Sequence, residues 1–376
     1  MRLGEEYRMR ILMFIPALNA GGAERVMVTL ANYLSKSGHD ILIQTLNTDE
    51  SFYSVSDKVK IAGMGYSFSG NSIIRKFQIP VIEAKRWYAF TKSEEEYRPD
   101  VILSFLYTTN VIALLARKRI KAPLIVSERN DPLAVSSISK KICARLYPKA
   151  DLIVCQGNKV AAYFESIRGK CVVIANPLNP QAIGEFKSKK TKEIVTVGRL
   201  IPQKNHRLLI KAFAEIHPKY PDYSLKIVGE GPLKRDLEEL IDTLKLRNAV
   251  SIQSNIKNVM TVVNDAACFA LSSDYEGFPN VLLEAMASGM PVVSTDFGTG
   301  IARDLITDGI NGYVVPVGDT EKMAGSIEKI ISSESVQFQM GKENVKLKDK
   351  FSEDTICSQW EDALSKVAGF SECSRK

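Results

Sequence analysis

Between Cys268 and Thr295 the chain reads as an apolar run (Cys268 to Leu271), a polar turn (Ser272 to Pro279), a stretch of helix formers (Asn280 to Ser288) and a second apolar run after Pro291. Short continuous apolar runs suit strands buried on both faces, and a helix between two of them brings the chain back to start a parallel neighbour. This strand, loop, helix, strand order is the unit of a parallel sheet covered by helices. Pro279 is expected at the first helical position, where a missing N–H costs nothing, and Gly277 lets backbone approach a ligand closely.

Open parallel sheets bind ligands just beyond the carboxyl ends of their strands, where the next helix presents free amides. The turn from Ser272 to Asn280 lies at that place, so Gly277, Phe278, Pro279 and Asn280 are expected to line a ligand. Glu276 is in the turn and Glu284 about one helical turn inside. A carboxylate avoids phosphate but accepts hydrogen bonds from sugar hydroxyls. Glu276 is therefore expected as a sugar-hydroxyl ligand and Glu284 as a ribose ligand. On this stretch alone, an ordinary crossover with two solvated glutamates fits equally well.

The same rhythm runs through the chain. Apolar runs at Arg10 to Ile15, Ile41 to Leu46, Val101 to Phe105, Leu124 to Ser127, Leu152 to Cys155 and Val172 to Ala175 alternate with helix-like segments. A polar stretch from Asn176 through Lys187-Ser-Lys-Lys-Thr-Lys192 reads as a linker. A second series follows, with strands at Glu193 to Val197, Leu225 to Val228, Val250 to Gln253, Ala267 to Leu271, Val292 to Ser294 and Gly312 to Val315. Helices are expected at Asn205 to His217, Pro232 to Lys245, Asn280 to Ser288, Thr320 to Ser332 and Ser352 to Val367. For 376 residues this implies two doubly wound α/β domains of Rossmann-like type, residues 1–178 and 179–351, facing a central cleft that would hold the ligand.

Charge divides unevenly. Residues 1–177 carry 25 Lys and Arg against 16 Asp and Glu, a balance of +9, while the remainder is slightly acidic. The first half is thus the one expected to meet an anionic partner. Asn71 to Lys92 mixes Ile73, Ile74, Phe77, Trp87, Tyr88 and Phe90 with Arg75, Lys76, Lys85, Arg86 and Lys92. It reads either as a membrane-interface segment or as an amphipathic crossover helix broken near Pro80. No apolar run reaches membrane-spanning length and Met1 to Arg10 is too polar for a signal peptide, so a cytosolic protein is expected. Six scattered cysteines, with no C-x-x-C pair, imply reduced structural thiols and no metal site. No nucleic-acid motif accompanies the basic half.

Two further turns carry chemistry. Gly21 and Gly22 fall between the first strand and its helix, where their N–H groups would meet phosphate or sugar; the dinucleotide fingerprint G-x-G-x-x-G is absent. Gly198-Arg-Leu-Ile-Pro-Gln-Lys-Asn205 follows the first strand of the second half. An enzyme that expels a nucleoside diphosphate needs positive charge against it, from a metal or from fixed cations. The chain has no D-x-D for a divalent metal, so Arg199 and Lys204 are the expected substitutes, Arg as a fork and Lys as a point charge.

Together, Gly198-Arg199 with Lys204, Glu276 and Glu284 inside Glu-Gly-Phe-Pro-Asn-Val-Leu-Leu-Glu-Ala-Met-Ala, Asn311-Gly312 with Pro316, and the opening Gly-Gly-Ala-Glu-Arg25 loop resemble family 4 of the retaining glycosyltransferases. The resemblance implies the two-domain GT-B fold. It implies that Arg199 and Lys204 hold the donor diphosphate, that Glu276 and Glu284 hold the donor sugar and ribose, and that Gly21-Gly22 closes over phosphate and sugar without a metal or cofactor. More narrowly, Ser104-Phe-Leu-Tyr-Thr-Thr-Asn110 and Ile125-Val-Ser-Glu-Arg-Asn130 resemble bacterial enzymes that extend lipid-linked glycans, including N-acetylgalactosamine transferases. Many family members carry a His after the fifth strand, where this chain has Glu128-Arg129-Asn130. Either Glu128 or Asn130 takes over the sugar contact, or Glu128 and Arg129 are an ion pair. Proteins of this resemblance also return their last helix, here bearing Trp360, to the first domain, which adds 352–376 to it.

The resulting expectation is a retaining, metal-independent transferase at the inner face of the membrane. It would move a hexose or N-acetylhexosamine, from UDP by resemblance, to a lipid-linked or surface-glycan acceptor. Arg199, Lys204 and Glu276 would act on the reacting groups. A retaining phosphorylase, or a non-catalytic nucleotide-sugar-binding subunit of a glycan assembly complex, are the alternatives.

Overall fold

A computed structural model describes residues 8–66, 72–129, 131–132, 136–167, 169–254, 259 and 263–370, without the side chains of 72–77. The chain forms two compact units, Met1–Pro177 with Asp354–Lys376, and Leu178–Glu353.

The first unit runs β1 (Arg10–Ile15), α1 (Gly22–Lys36), β2 (Asp40–Thr45), β3 (Lys60–Gly63), α2 (Ser72–Tyr97), β4 (Val101–Phe105), α3 (Tyr107–Ala116), β5 (Leu124–Ser127), α4 (Ser137–Leu146), β6 (Leu152–Cys155), α5 (Asn158–Ser166) and β7 (Cys171–Val173). Its seven strands lie in the order β3-β2-β1-β4-β5-β6-β7, all parallel. Strands β4 and β5 are buried along their whole length, as a sheet covered on both faces requires.

The second unit holds β8 (Thr191–Val197), α6 (His206–Ile216), β9 (Ser224–Val228), α7 (Lys234–Thr243), β10 (Val250–Gln253), β11 (Ala266–Leu271), α8 (Asn280–Ala287), β12 (Val292–Thr295), α9 (Ile301–Leu305), β13 (Gly312–Val315), α10 (Thr320–Ile331), α11 (Glu334–Val345) and α12 (Leu347–Lys350), after which α13 (Glu353–Val367) carries the chain back into the first. Its six strands are again all parallel, in the order β10-β9-β8-β11-β12-β13. Helix α6 shows why the elements form. Asn205 caps it by accepting from the Leu208 N–H at 3.3 Å, and Leu208, Leu209, Ile210, Ala212, Phe213 and Ile216 are buried in the core beneath. Fully burying each large side chain of that face stabilises by about 1.5–3 kcal/mol.

In both units the order reverses beside the first strand, between β1 and β4 and between β8 and β11. At such a switch point the loops leave in opposite directions and open a crevice at the carboxyl edge. The loop after β8 carries Arg199 and Lys204, and the loop after β11 carries Glu276. These are the two Rossmann-like sheets of the GT-B fold.

Several expectations change. Pro80 does not break α2, which continues from Ser72 to Tyr97 with the proline inside; proline removes one helical hydrogen bond, and packing of Arg86, Phe90 and Glu94, all buried, holds the remaining turns. Strand β3 was not anticipated, because none of its residues is fully buried and its composition carries no apolar signal. Pro279 is the N-cap of α8, one position before the first helical residue and not at it as expected. Strand β7 starts at Cys171, a residue earlier than read. Helices α11 and α12 lie where no element was expected; Ser333 caps α11 through the Val336 N–H.

Helix α13 is fixed to the first unit by side chains from both its faces. Trp360 is fully buried with its ring 5.5 Å from Phe105. His39 Nδ1 accepts the Met9 N–H at 3.0 Å, so its Nε2 bears the hydrogen and donates to Glu361 Oε1 at 3.0 Å.

Candidate active site

Lys204 ends a single 3-10 turn, Pro202–Lys204, that closes on Asn205 in the left-handed region (φ 42°) before α6 starts. Asn tolerates that conformation better than most residues. This turn projects the Lys204 side chain toward the loop after β11, where Nζ donates to Glu276 Oε1 at 2.5 Å. The pair is well shielded, with side-chain exposures of 14% and 8%. Ser273 Oγ donates to the same Oε1 at 2.6 Å. Among the described residues, Glu276 Oε2 has only Gln203 Nε2 as a hydrogen-bond donor, at 3.5 Å. One carboxylate oxygen is thus saturated by the protein while the other keeps acceptor capacity, and Lys204 keeps ammonium hydrogens beyond the one it gives.

The two loops are sewn together. Ser272 Oγ donates to the Lys204 carbonyl at 2.9 Å, the Asp274 N–H to the Gln203 carbonyl at 2.9 Å, Gln203 Nε2 to the Tyr275 carbonyl at 2.8 Å, and Asn205 Nδ2 to Asp274 Oδ1 at 2.8 Å. Thr295, at the end of β12, donates to the Ser273 carbonyl at 2.6 Å. Arg199 lies exposed on the first of these loops, with no side-chain hydrogen bond or ion pair among the described residues. Its backbone is held from beneath: His206 Nε2 lies 3.3 Å from the Arg199 carbonyl, and burial pushes that imidazole down to about 4. His206 is therefore neutral at pH 7 and donates from Nε2.

Sequence reasoning passed over the segment Gly229-Glu-Gly231 after β9. The Gly198 N–H donates to the Val228 carbonyl and the Leu200 N–H to the Glu230 carbonyl, so this segment runs against the Arg199 loop. A Cβ on Gly229 would stand 1.9 Å from the Gly198 carbonyl oxygen. The glycine pair after the second strand was a readable signal for that close approach. His206 too was set aside, since its packing role leaves no mark in the sequence.

Glu284 lies on α8, partly buried, a turn beyond Pro279; its carbonyl accepts the Ser288 N–H. Gly277 and Asn280 are partly buried and Phe278 and Pro279 buried around the start of α8. The Asn280 N–H donates to the Phe278 carbonyl.

In the first unit, Gly21 is the N-cap of α1 and Gly22 its first residue; the cap position has no side-chain hydrogen bond. The extended backbone of Gly21 (φ −134°) is open to any residue, and a Cβ there would meet only the flexible end of Glu24. Neither backbone nor core demands glycine, and what its bareness leaves open is the approach to the first amides of α1.

Glu128 is buried, and its carboxylate already has two protein donors, the Tyr147 hydroxyl on Oε2 at 2.5 Å and the Arg129 N–H on Oε1 at 3.2 Å. Asn110 Nδ2 extends the network to the same hydroxyl. Arg129 is buried over Phe105, 4.1 Å from the ring centroid, and donates to Asn176 Oδ1, while its Nε and Nη2 have no hydrogen-bond partner among the described residues. Burial pulls the guanidinium down to about 9, against the opposing charge of Glu128. Asn130 lies outside the described residues. No group of three or more His, Cys, Asp or Glu suited to a metal occurs among the described residues.

Two family descriptions match the chain, "Glycosyltransferase Family 4" over residues 20–182 and "Glycosyl transferases group 1" over 181–347. Two Campylobacter jejuni enzymes are similar along most of the length. One, named GalNAc-alpha-(1->4)-GalNAc-alpha-(1->3)-diNAcBac-PP-undecaprenol alpha-1,4-N-acetyl-D-galactosaminyltransferase, is 30% identical over 336 residues, covering 88% of this chain and 91% of its own. The other, N-acetylgalactosamine-N,N'-diacetylbacillosaminyl-diphospho-undecaprenol 4-alpha-N-acetylgalactosaminyltransferase, is 33% identical over 342 residues, covering 86% and 91%. Among solved structures, sucrose-phosphate synthase of Thermosynechococcus elongatus superposes with a TM-score of 0.82 at 18% identity, over 96% of this chain and 100% of that one. Anabaena HepE in complex with UDP does so with 0.76 at 19% identity, over 95% and 100%.

Proposed function

The chain belongs to glycosyltransferase family 4, and on that premise we propose that it transfers a hexose or N-acetylhexosamine from a UDP-sugar to a lipid-linked glycan, with retention and without a metal. The observation that carries this reading is the convergence of Lys204 and Glu276 at the switch point of the second sheet, with Arg199 on the same loop. The two Campylobacter enzymes, whose names specify undecaprenyl-diphosphate acceptors, support the acceptor class, and the UDP in the HepE complex supports the nucleotide.

In the proposed reaction the bond from the anomeric carbon to the diphosphate oxygen breaks and its electron pair stays on that oxygen. The acceptor hydroxyl adds on the same face, and its proton passes to the departing phosphate. Lys204 and Arg199 offset the charge that develops there, and Glu276 Oε2 accepts from a hydroxyl of the transferred sugar. Glu284 holds the ribose, Gly277 to Asn280 present the start of α8, and Gly21-Gly22 approach phosphate and sugar. The buried Glu128 network positions the end of β5.

A membrane-linked acceptor calls for attachment to the inner leaflet. No helix among the described residues is long and apolar enough to cross a membrane. Helix α2 instead exposes Ile79, Val81 and Tyr88, and a shallow groove lined by Tyr66, Pro80, Val81, Ala84, Lys85 and Tyr88 runs along it. Apolar side chains beside lysine suit an anionic interface, so peripheral binding through this face is part of the proposal.

The test combines purified protein, EDTA, a panel of UDP- and GDP-sugars and detergent-extracted polyprenyl-diphosphate glycans. The expected result is release of UDP from one donor, undiminished by EDTA, dependent on the extract and lost in Lys204→Met. Consumption of a sugar phosphate in place of a nucleotide sugar would favour a phosphorylase and overturn the reading, as would nucleotide binding with no donor consumed.

A further inference from the structure

The loop between β2 and β3 holds an aromatic ring in water while its backbone is tightly fixed. Leu18 and Ser51 form a parallel bridge, and the Phe52 N–H donates to the Leu18 carbonyl at 2.8 Å, which ties this loop to the one that carries Gly21. Tyr53 Oη donates to the Gly21 carbonyl at 3.0 Å. Asn32 on α1 clamps the far side, donating to the Ser54 carbonyl at 3.0 Å and accepting the Ser56 N–H at 2.8 Å. Yet Phe52 between these anchors is 70% exposed, its ring edge-on to Tyr53 at 5.2 Å and 84°. The core gains almost nothing from such a ring, whereas a fixed ring loses little entropy when something stacks on it.

We propose that Phe52 is a stacking platform for a sugar ring of the acceptor, an inference that rests on the transferase reading above. The C–H groups on one face of a pyranose are weakly positive and complement the negative face of an aromatic ring. The surroundings choose this occupant over lipid. Asn47, Thr48, Asp49 and Glu50, which precede Phe52 on the same loop, are all exposed. Carboxylates and amides exchange hydrogen bonds with sugar hydroxyls, while Asp49 and Glu50 repel an anionic headgroup surface. The loop stands at the carboxyl edge of β2, the ligand edge of the first sheet, and its hydrogen bond to the Gly21 carbonyl places it beside the expected phosphate and sugar contact.

The experiment uses the full chain, methyl N-acetyl-α-D-galactosaminide as the saccharide probe and UDP as a separate probe. Saturation-transfer NMR should show the protons of one pyranose face receiving magnetisation from the wild type. Phe52→Ala and Phe52→Leu should weaken saccharide binding by about two- to tenfold, while Phe52→Trp retains it and UDP affinity stays unchanged in all three. Equal saccharide affinity in Phe52→Ala, full rescue by leucine, or no saccharide signal with the wild type would each overturn the proposal. Loss of co-sedimentation with phosphatidylglycerol vesicles in Phe52→Ala, with saccharide binding intact, would assign the ring to lipid and overturn it too. Failure of the wild type to bind UDP would count against the transferase reading alone, because the saccharide titration does not depend on it.

Discussion

Replacing Lys204 with methionine removes one charge of a shielded pair and leaves the aliphatic volume nearly intact. Glu276 would keep Ser273 on Oε1 but lose the ammonium 2.5 Å away. Breaking one side of a buried pair costs about 3–5 kcal/mol. For a unit of this size each kcal/mol corresponds to about 2–4 °C, so its Tm should fall by about 6–20 °C at pH 7. Turnover should fall separately, by about a hundred- to thousandfold, if the ammonium also stabilises the leaving diphosphate. A cycle of Lys204→Met, Glu276→Gln and the double variant, read by Tm and by UDP release, separates the two effects. The double variant should recover most of the lost stability and none of the rate. Recovery of rate along with stability would show that Lys204 serves only to neutralise Glu276, and the reasoning would fail.

Gly229→Ala places a methyl group against backbone on the Gly198 carbonyl and should cost about 1–3 kcal/mol and weaken UDP binding by displacing the Arg199 loop, measurable by urea unfolding and calorimetric titration. His206 is held at about 4 against an unfolded value of about 6.5, so the unfolded state binds the proton first and stability declines as pH falls through that window, by up to about 3 kcal/mol. Urea titrations from pH 7 to 4.5 should show that decline, and His206→Gln should flatten it. Arg129→Met removes the cation whose charge faces buried Glu128 and leaves that carboxylate alone, so Tm in a thermal scan is expected to fall by several degrees, whereas an unchanged Tm would show that the guanidinium's own desolvation cost cancels the pairing.

Much of the architecture was legible because a covered parallel strand reads as a near-continuous apolar run: β11 is apolar throughout, and β4 and β5 are broken only by Ser104 and Ser127. What could not be read lacked that signature. Strand β3 is barely buried at the sheet edge, and the helix through Pro80 depends on packing partners distant in sequence. The site divides in the same way. Arg199, Lys204 and Glu276 were readable since charge at strand ends has no place in a core. The partnership of Lys204 with Glu276 was not, because seventy-odd residues separate them and only the strand order brings their loops together. The surroundings of Glu128 were hidden for a related reason: Tyr147, from the turn after α4, donates to it, and Asn110 of α3 donates to that Tyr147 hydroxyl.

Both units share the order that puts a switch point beside their first strand, but they furnish it differently, and the difference argues for a division of labour. In the second unit the two loops at the switch point cross-link through Ser272, Asn205, Gln203 and the ion pair itself, so the charged groups are fixed before any ligand arrives. Groups already fixed need not reorganise as charge develops, which is the condition under which they lower a barrier and not merely bind. In the first unit the loops after β1 and β2 are also joined, through Leu18, Ser51 and Tyr53, but what they present is a bare glycine turn and an exposed ring. On the proposed function, such a surface would recognise the acceptor by shape and stacking, so substitutions there should move acceptor affinity while those around Lys204 move the rate.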